Sequence, residues 1–275
     1  MLEMPARSDP SKNKLRLQSV SRIFRTPHGS LTALEDFSLE IPEGEFLCIV
    51  GPSGCGKSTL LNLIAGLDRP TSGEIWKDSR RVNGPGTDRI IIIFQELGLF
   101  PWLTVLENVE FGLRMRRVSK AQRRERSRHY LRLVHLTGFE SSYVHQLSGG
   151  MKQRVALARS LVTEPDVLLM DEPFAALDAQ TRDLLHEEMA RLWSATGKTI
   201  VFVTHNVREA VRLGGRVIVM SFRPGRIKSQ FTITLPRPRN LEDPQLTLMA
   251  REVVAQLKEE INKAVKEEFS HEENP

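Results

Sequence analysis

The sequence predicts an α/β fold built on a mostly parallel sheet, with a helical segment inserted between two of its strands. Three observations predict it. Short apolar, β-branched runs recur, each followed by a segment of helical period, which is the pattern of strands buried on both faces. Several of these runs end on glycine-rich or acidic residues, where an open α/β sheet places its ligands. Thr104 to Thr137, by contrast, reads as helix with almost no strand signal. With 275 residues, 40% of them hydrophobic, the chain can build one large α/β domain with a smaller subdomain.

The clearest strands are Glu45 to Val50, Ile90 to Phe94, Val167 to Met170, Thr199 to Thr204 and Val217 to Met220. A glycine loop follows the first and opens a predicted helix, Lys57 to Ala65. Thr104 with Glu107 spells a capping box at the start of the helical insertion, whose expected extent is about 97–160. Arg223-Pro224-Gly225 marks a turn and is followed by a further strand. After the break at Pro236-Arg237-Pro238 comes a segment with apolar residues three and four apart (Leu246, Ala250, Val253, Val254, Leu257, Ile261, Val265). It predicts a C-terminal helix over 241–275 with one buried face, packed on its own domain or against a partner. The main domain is expected to span 14–240.

Charge and cysteines narrow the class. The net charge of +5 is mild, but between Arg114 and Arg132 nine Arg or Lys face the single Glu125. Such a run is ordinarily a solvated helix face; attraction to anionic lipid headgroups, or to a partner or nucleic acid, is the alternative. No run of eighteen apolar residues is present, and Met1 to Lys14 is polar, so neither a membrane span nor a signal sequence is expected and the cytosol is the expected compartment. Cys48 lies in a strand and Cys55 in the glycine loop, an arrangement that does not suggest a disulfide.

Gly51-Pro52-Ser53-Gly54-Cys55-Gly56-Lys57-Ser58 matches the phosphate-binding loop pattern in the required setting, after a strand and before a helix. Glycines let backbone N–H groups crowd a phosphate, Lys57 neutralises the β and γ phosphates, and Ser58 offers a hydroxyl to Mg²⁺. The helix N-terminus, with Thr59 in its first turn, adds partial positive charge. Val167 to Met170 leads into Asp171-Glu172. Asp171 suits the magnesium shell, and Glu172 is placed to polarise a water for attack on the γ-phosphate.

Leu147-Ser148-Gly149-Gly150-Met151-Lys152-Gln153-Arg154 narrows the class of phosphate-loop protein further. On this segment the chain resembles the ATP-binding cassette (ABC) family, whose signature is LSGG. Ser148, Gly149 and Gly150 before a helix form a second anion site, and the resemblance implies that it binds the γ-phosphate held by another subunit. It also implies a phosphate-loop NTPase core with an N-terminal antiparallel β portion, over roughly 14–232. In this family's order, Gln95 resembles the glutamine that reaches Mg²⁺ and the attacking water. Ala176-Leu177-Asp178 resembles the loop through which subunits touch, and His205 the histidine near the γ-phosphate. Phe24 stands where many members carry a tyrosine stacked on adenine; the aromatic face is kept and the hydroxyl lost.

The resemblance implies an ATPase that uses ATP and Mg²⁺ and works as a dimer of two such subunits, either two copies of this chain or a pair with a paralogue. Leu99-Phe100-Pro101-Trp102-Leu103, Met220 to Arg226 and Leu235 to Arg239 are similar to segments of importers of nitrate, sulfonate and taurine. The implied partners are a transmembrane permease and, indirectly, an extracytoplasmic substrate-binding protein, with the chain peripheral on the cytoplasmic face of the membrane. A soluble cassette acting on nucleic acid or ribosomes is the other class; the single cassette without a coiled-coil insertion speaks against it, and no nucleic-acid partner is expected.

Overall fold

The structure is a computed structural model that describes residues 12–27, 29–85, 89–175, 177–240 and 242–272. Ala176 and the ends of the chain lie outside them. Two sheets organise the fold. The first is antiparallel, in the order β2-β1-β4-β5, formed by β1 (Asn13–Thr26), β2 (Gly29–Pro42), β4 (Ser72–Lys77) and β5 (Arg80–Arg81). The second runs β10-β9-β3-β8-β7-β6. Its members are β3 (Phe46–Val50), β6 (Ile90–Ile93), β7 (Val167–Asp171), β8 (Thr199–Thr204), β9 (Arg216–Met220) and β10 (Ile227–Thr232). All its pairs are parallel except β9 with β10.

Each expected parallel strand is present to within about two residues. The reason is burial: every residue of β3 and β8 is buried, so an unbroken apolar run is what the sequence shows. Between β3 and β4 lies α1 (Lys57–Ile64); between β6 and β7 come α2 (Val105–Met115), α3 (Lys120–Leu133) and α4 (Gly149–Leu161). Then follow α5 (Ala179–Thr196), α6 (Val207–Leu213) and α7 (Pro244–Glu272).

Thr104 and Glu107 form the capping box: Glu107 N donates to Thr104 Oγ1 at 3.3 Å, and Thr104 N donates to Glu107 Oε2 at 2.9 Å. The basic run falls mainly on α3, which buries only Ser127 and Leu131, so it is a solvated face. Arg123 and Arg126 pair with Glu110 and Glu164.

α7 packs on its own domain, beside α6, β9 and β10, and five of the seven expected apolar positions face the core, Ala250 and Val254 partly buried against it; only the last two depart. Leu246, Val253, Leu257 and Ala264 are buried as apolar positions, whereas Ile261 and Val265 are each 41% exposed. In their place Glu260 is turned inward, where Lys228 and Lys263 bond it at 2.9 and 2.7 Å and Phe222 N–H at 2.8 Å. Partnered in this way, a buried carboxylate displaces the apolar face. Both cysteines are buried and free.

Candidate functional site

The site is built at the C-terminal end of the parallel strands. β3 delivers the chain into the Gly51–Gly56 loop, and α1 starts at Lys57. The residue capping α1 is Gly56, at φ 98° and ψ 9°, with no side-chain hydrogen bond closing the helix. A Cβ at Gly56 would stand 2.8 Å from the Ala33 carbonyl oxygen, so only glycine fits the turn. Without a capping side chain, the first amides of α1 are left for a ligand.

Lys57, 7% exposed, holds the loop in shape by donating from Nζ to the Gly51 and Pro52 carbonyls, both at 2.9 Å. Burial pushes the Cys55 thiol up, which leaves it a packing residue. A cavity of about 340 Å³ opens above the loop. Phe24, Ser53, Gly54, Gly56, Lys57, Ser58, Thr59 and Glu172 line it. Phe24 is half-buried at the β1 side of this cavity, with the Arg22 guanidinium 4.5 Å from its ring centroid. One aromatic face is therefore covered by a cation.

β7 brings the two acids. The Ser58 hydroxyl bonds Asp171; burial raises the Asp171 carboxyl above its ordinary range, Ser58 opposes this, and the neighbouring Glu172 adds to it. Among the described residues no group of three or more His, Cys, Asp or Glu could hold a metal alone. A hydroxyl and a carboxylate beside a phosphate loop are instead the hard oxygen donors that suit Mg²⁺ shared with a nucleotide.

Glu172 adopts φ 45°, a left-handed backbone that costs a non-glycine residue, while its N–H still bonds Val203 O at 2.9 Å across the sheet. The twist aims the carboxylate across the strand ends, where Oε2 meets His205 Nδ1 at 2.8 Å. The segment carrying His205 is anchored from below. Thr204 Oγ1 donates to Glu209 Oε2 at 2.6 Å and accepts from Asn206 N at 3.0 Å, and Asn206 caps α6. For Glu209, burial acts to raise the carboxyl, but the neighbouring His186, with Nε2 3.5 Å away, the bond from Thr204 and the charge of Arg182 outweigh it and lower it.

Gln95, Ser148, Gly149, Gly150 and Asp178 do not line the cavity. Gln95 is exposed just beyond β6. Ser148 caps α4, accepting from Met151 N at 3.3 Å, and Asp178 caps α5, accepting from Thr181 N at 3.0 Å. These two helix starts adjoin: a Cβ at Gly149 would touch Leu177 at 3.5 Å, and one at Gly150 would collide with the Thr181 methyl.

A third surface lies on the loop after Gln95. Asn108 donates to the Phe100, Leu103 and Thr104 carbonyls, and Arg159 to those of Leu97 and Gly98. The loop is thus held rigidly, and Trp102 projects from it 70% exposed, in contact with Phe100 and not in the interior.

Three residues lining the cavity are not indicated by the sequence: Leu31 and Ala33 of β2, which supply apolar wall, and one charged group. That group is Arg223, in the turn between β9 and β10. Its signal was Met220 to Arg226, which the sequence marked only as a turn and a subgroup resemblance.

Comparison with known proteins identifies the family. The ABC transporter family model matches residues 34–175. The nitrate import ATP-binding protein NrtD of Synechocystis sp. is 51% identical over 222 residues, covering 81% of this chain and 83% of NrtD. The taurine import ATP-binding protein TauB of Burkholderia pseudomallei is 46% identical over 255 residues, covering 90% and 98%. Among solved structures, the dimeric ATP-binding cassette MJ0796 in a post-hydrolysis state, bound to ADP and Pi, superposes with a TM-score of 0.72 at 36% identity, covering 81% of this chain and all of that one. The chain therefore belongs to the ABC transporter family, as one of its ATP-binding ATPase subunits.

Proposed function

We propose that this subunit energises an importer of small molecules of the nitrate, sulfonate and taurine kind, by closing with a second ATPase subunit around ATP and passing that motion to a membrane permease. The observation that carries the reading is the separation of two anion sites. The cavity of Lys57, Ser58 and Glu172 and the exposed start of α4 at Ser148 lie on different parts of one chain. Each completes a site only with the other's counterpart on a second subunit, so two ATPs join two subunits head to tail. The dimeric MJ0796 cassette supports this arrangement, and the names of NrtD and TauB support import.

In this reading the loop amides and Lys57 bind the phosphates, with Phe24 against the base. Glu172 accepts a proton from the attacking water, and His205, in hydrogen-bond contact with Glu172, orients that carboxylate and the γ-phosphate. Ser58, Asp171 and Gln95 would hold Mg²⁺, which when bound neutralises phosphate charge. Asp178, beside the start of α4, faces the second subunit. The rigid, outward Trp102 receives an apolar element of the permease. Among the described residues no helix is long and apolar enough to cross a membrane; in this reading it is the permease contact that places the subunit peripherally, on the cytoplasmic face.

One experiment tests both halves. Glu172→Gln should lower turnover on the order of 10²- to 10⁴-fold, accumulate an ATP-bound dimer on size exclusion, and bring a multi-span permease with it from detergent-solubilised membranes. A monomer with undiminished turnover sinks the mechanism. Ribosomes or nucleic acid in place of a permease sink the transport role.

A further inference from the structure

We propose that Arg223 is a further nucleotide-binding residue: a cation that the turn between β9 and β10 holds at the phosphate loop, to engage the phosphate chain of ATP. The inference rests on the nucleotide site proposed above and adds to it a group from a distant part of the chain.

The turn is docked, not loose. Ser221 Oγ donates to the Pro224 carbonyl at 2.8 Å and accepts from Arg226 N at 2.9 Å. Gly225 N donates to Ala33 O at 3.0 Å, and Glu35 N donates to Gly225 O at 3.2 Å, which ties the turn to β2. A Cβ on Gly225 would run into the Cys55 carbonyl oxygen, so the turn lies directly on the phosphate loop. Its far side is fixed by Phe222 N–H on the buried Glu260 of α7.

Two arginines leave this turn, and they are treated differently. Arg226 pairs with Glu35 at 2.7 Å. Arg223 pairs with no carboxylate among the described residues; its Nε donates to the Gly54 carbonyl at 3.1 Å. That tether, with the Phe222 ring 5.7 Å from the guanidinium carbon, sets the direction of the group and leaves its two terminal NH₂ groups for an incoming acceptor. A Cβ on Gly54 would stand 2.9 Å from one of them, so the glycine leaves room for the guanidinium as well as for phosphate.

Charge completes the argument. Of the side chains lining the cavity, Lys57 and Arg223 are the cations and Glu172 the acid. Lys57 Nζ already bonds two loop carbonyls. A polyphosphate gains charge-assisted hydrogen bonds from an unpaired, oriented guanidinium beside it, and a fork of N–H donors suits phosphate oxygens better than a point charge does.

The test measures ATP and ADP affinity by calorimetry, and KM and kcat, for the full chain carrying Arg223→Gln, Arg223→Lys or Lys57→Ala. Arg223→Gln should weaken ATP roughly 5- to 20-fold, with most of the kinetic change in KM rather than kcat and with a shallower salt dependence of affinity. Arg223→Lys should recover part of the loss. The proposal is overturned if Arg223→Gln binds ATP as the parent does, or if Lys and Gln are equally impaired with a lowered Tm, the mark of a merely structural role. Lys57→Ala separates the two levels. If it too binds ATP normally, the nucleotide site itself is wrong; if it loses ATP while Arg223→Gln does not, only the role of Arg223 falls.

Discussion

The starts of α1 and α4 are both glycine-bearing helix N-termini, and the difference between them is what the proposed division of a site between two subunits rests on. At α1 the capping position is a left-handed glycine with no side-chain bond, and Lys57, Asp171, Glu172 and His205 are gathered around it. At α4, Ser148 closes the helix with its own hydroxyl, and no acidic side chain lies in the first turn. One end gathers an ammonium, two carboxylates and an imidazole; the other offers N–H groups and a hydroxyl, with the Asp178-capped start of α5 alongside. In the proposed reading the first binds the nucleotide, and the second acts on a phosphate that another subunit holds.

The comparison breaks most visibly at Lys57. Lys57→Ala should weaken ATP binding roughly 10- to 100-fold, as expected for lost hydrogen bonds to a charged group, and turnover should fall with it. Ser148→Arg should leave ATP binding by the monomer unchanged, while turnover falls on the order of 10²-fold, as when a donor to a developing charge is lost. If Ser148→Arg weakens binding by the monomer, the two ends are not divided as argued. Mixing the two defective proteins sharpens the point, because a mixed dimer contains one site with both an intact Lys57 and an intact Ser148. ATPase activity should reappear on mixing; two subunits with self-contained sites would stay inactive.

The fold was legible where structure follows from contiguous residues. The parallel strands are unbroken apolar runs, and the phosphate loop and the Asp171-Glu172 pair are each one short string at a strand end. The antiparallel strands β1 and β2 were reached only through the family resemblance. Their alternation is interrupted by register shifts, and Ser19 and Asp36 sit at φ 46° and 47°, so the period of two is lost part-way along each strand. Arg223 was illegible as a site residue because its partner Gly54 is 169 positions away. Nothing local in Arg223-Pro224-Gly225 says which loop the turn will lie on. Only the C-terminal end of the α7 face differs from the sequence expectation, and for a similar reason. Periodicity sees Ile261 and Val265, but the inward position belongs to Glu260, whose partners Lys228 and Phe222 are on other elements.

Glu260 also supplies the smallest and most specific of these effects, because it braces the phosphate-loop end of the molecule. Burial alone would raise its carboxyl; the bonds from Lys263, Lys228 and Phe222 N–H outweigh that and lower it below the ordinary glutamate range. A depressed carboxylate contributes stability that is complete above its unfolded pKa of about 4.3 and is lost as pH falls through the folded value. Glu260→Gln should therefore lower stability at neutral pH by about 1.5–3 kcal/mol, the worth of hydrogen bonds to a charged group. The gap between the two proteins in denaturant titrations should stay constant from pH 8 to about 5 and close only below about 4, the window set by the lowered pKa. A gap that instead widened on acidification would mean that Glu260 is held protonated in the fold. Because Phe222 N–H hangs on this carboxylate, the variant should also weaken ATP binding less than Arg223→Gln does, since the turn keeps its ties to Ala33 and Glu35. An equal loss would mean that α7, and not the contacts with β2, sets the position of Arg223 at the phosphate loop.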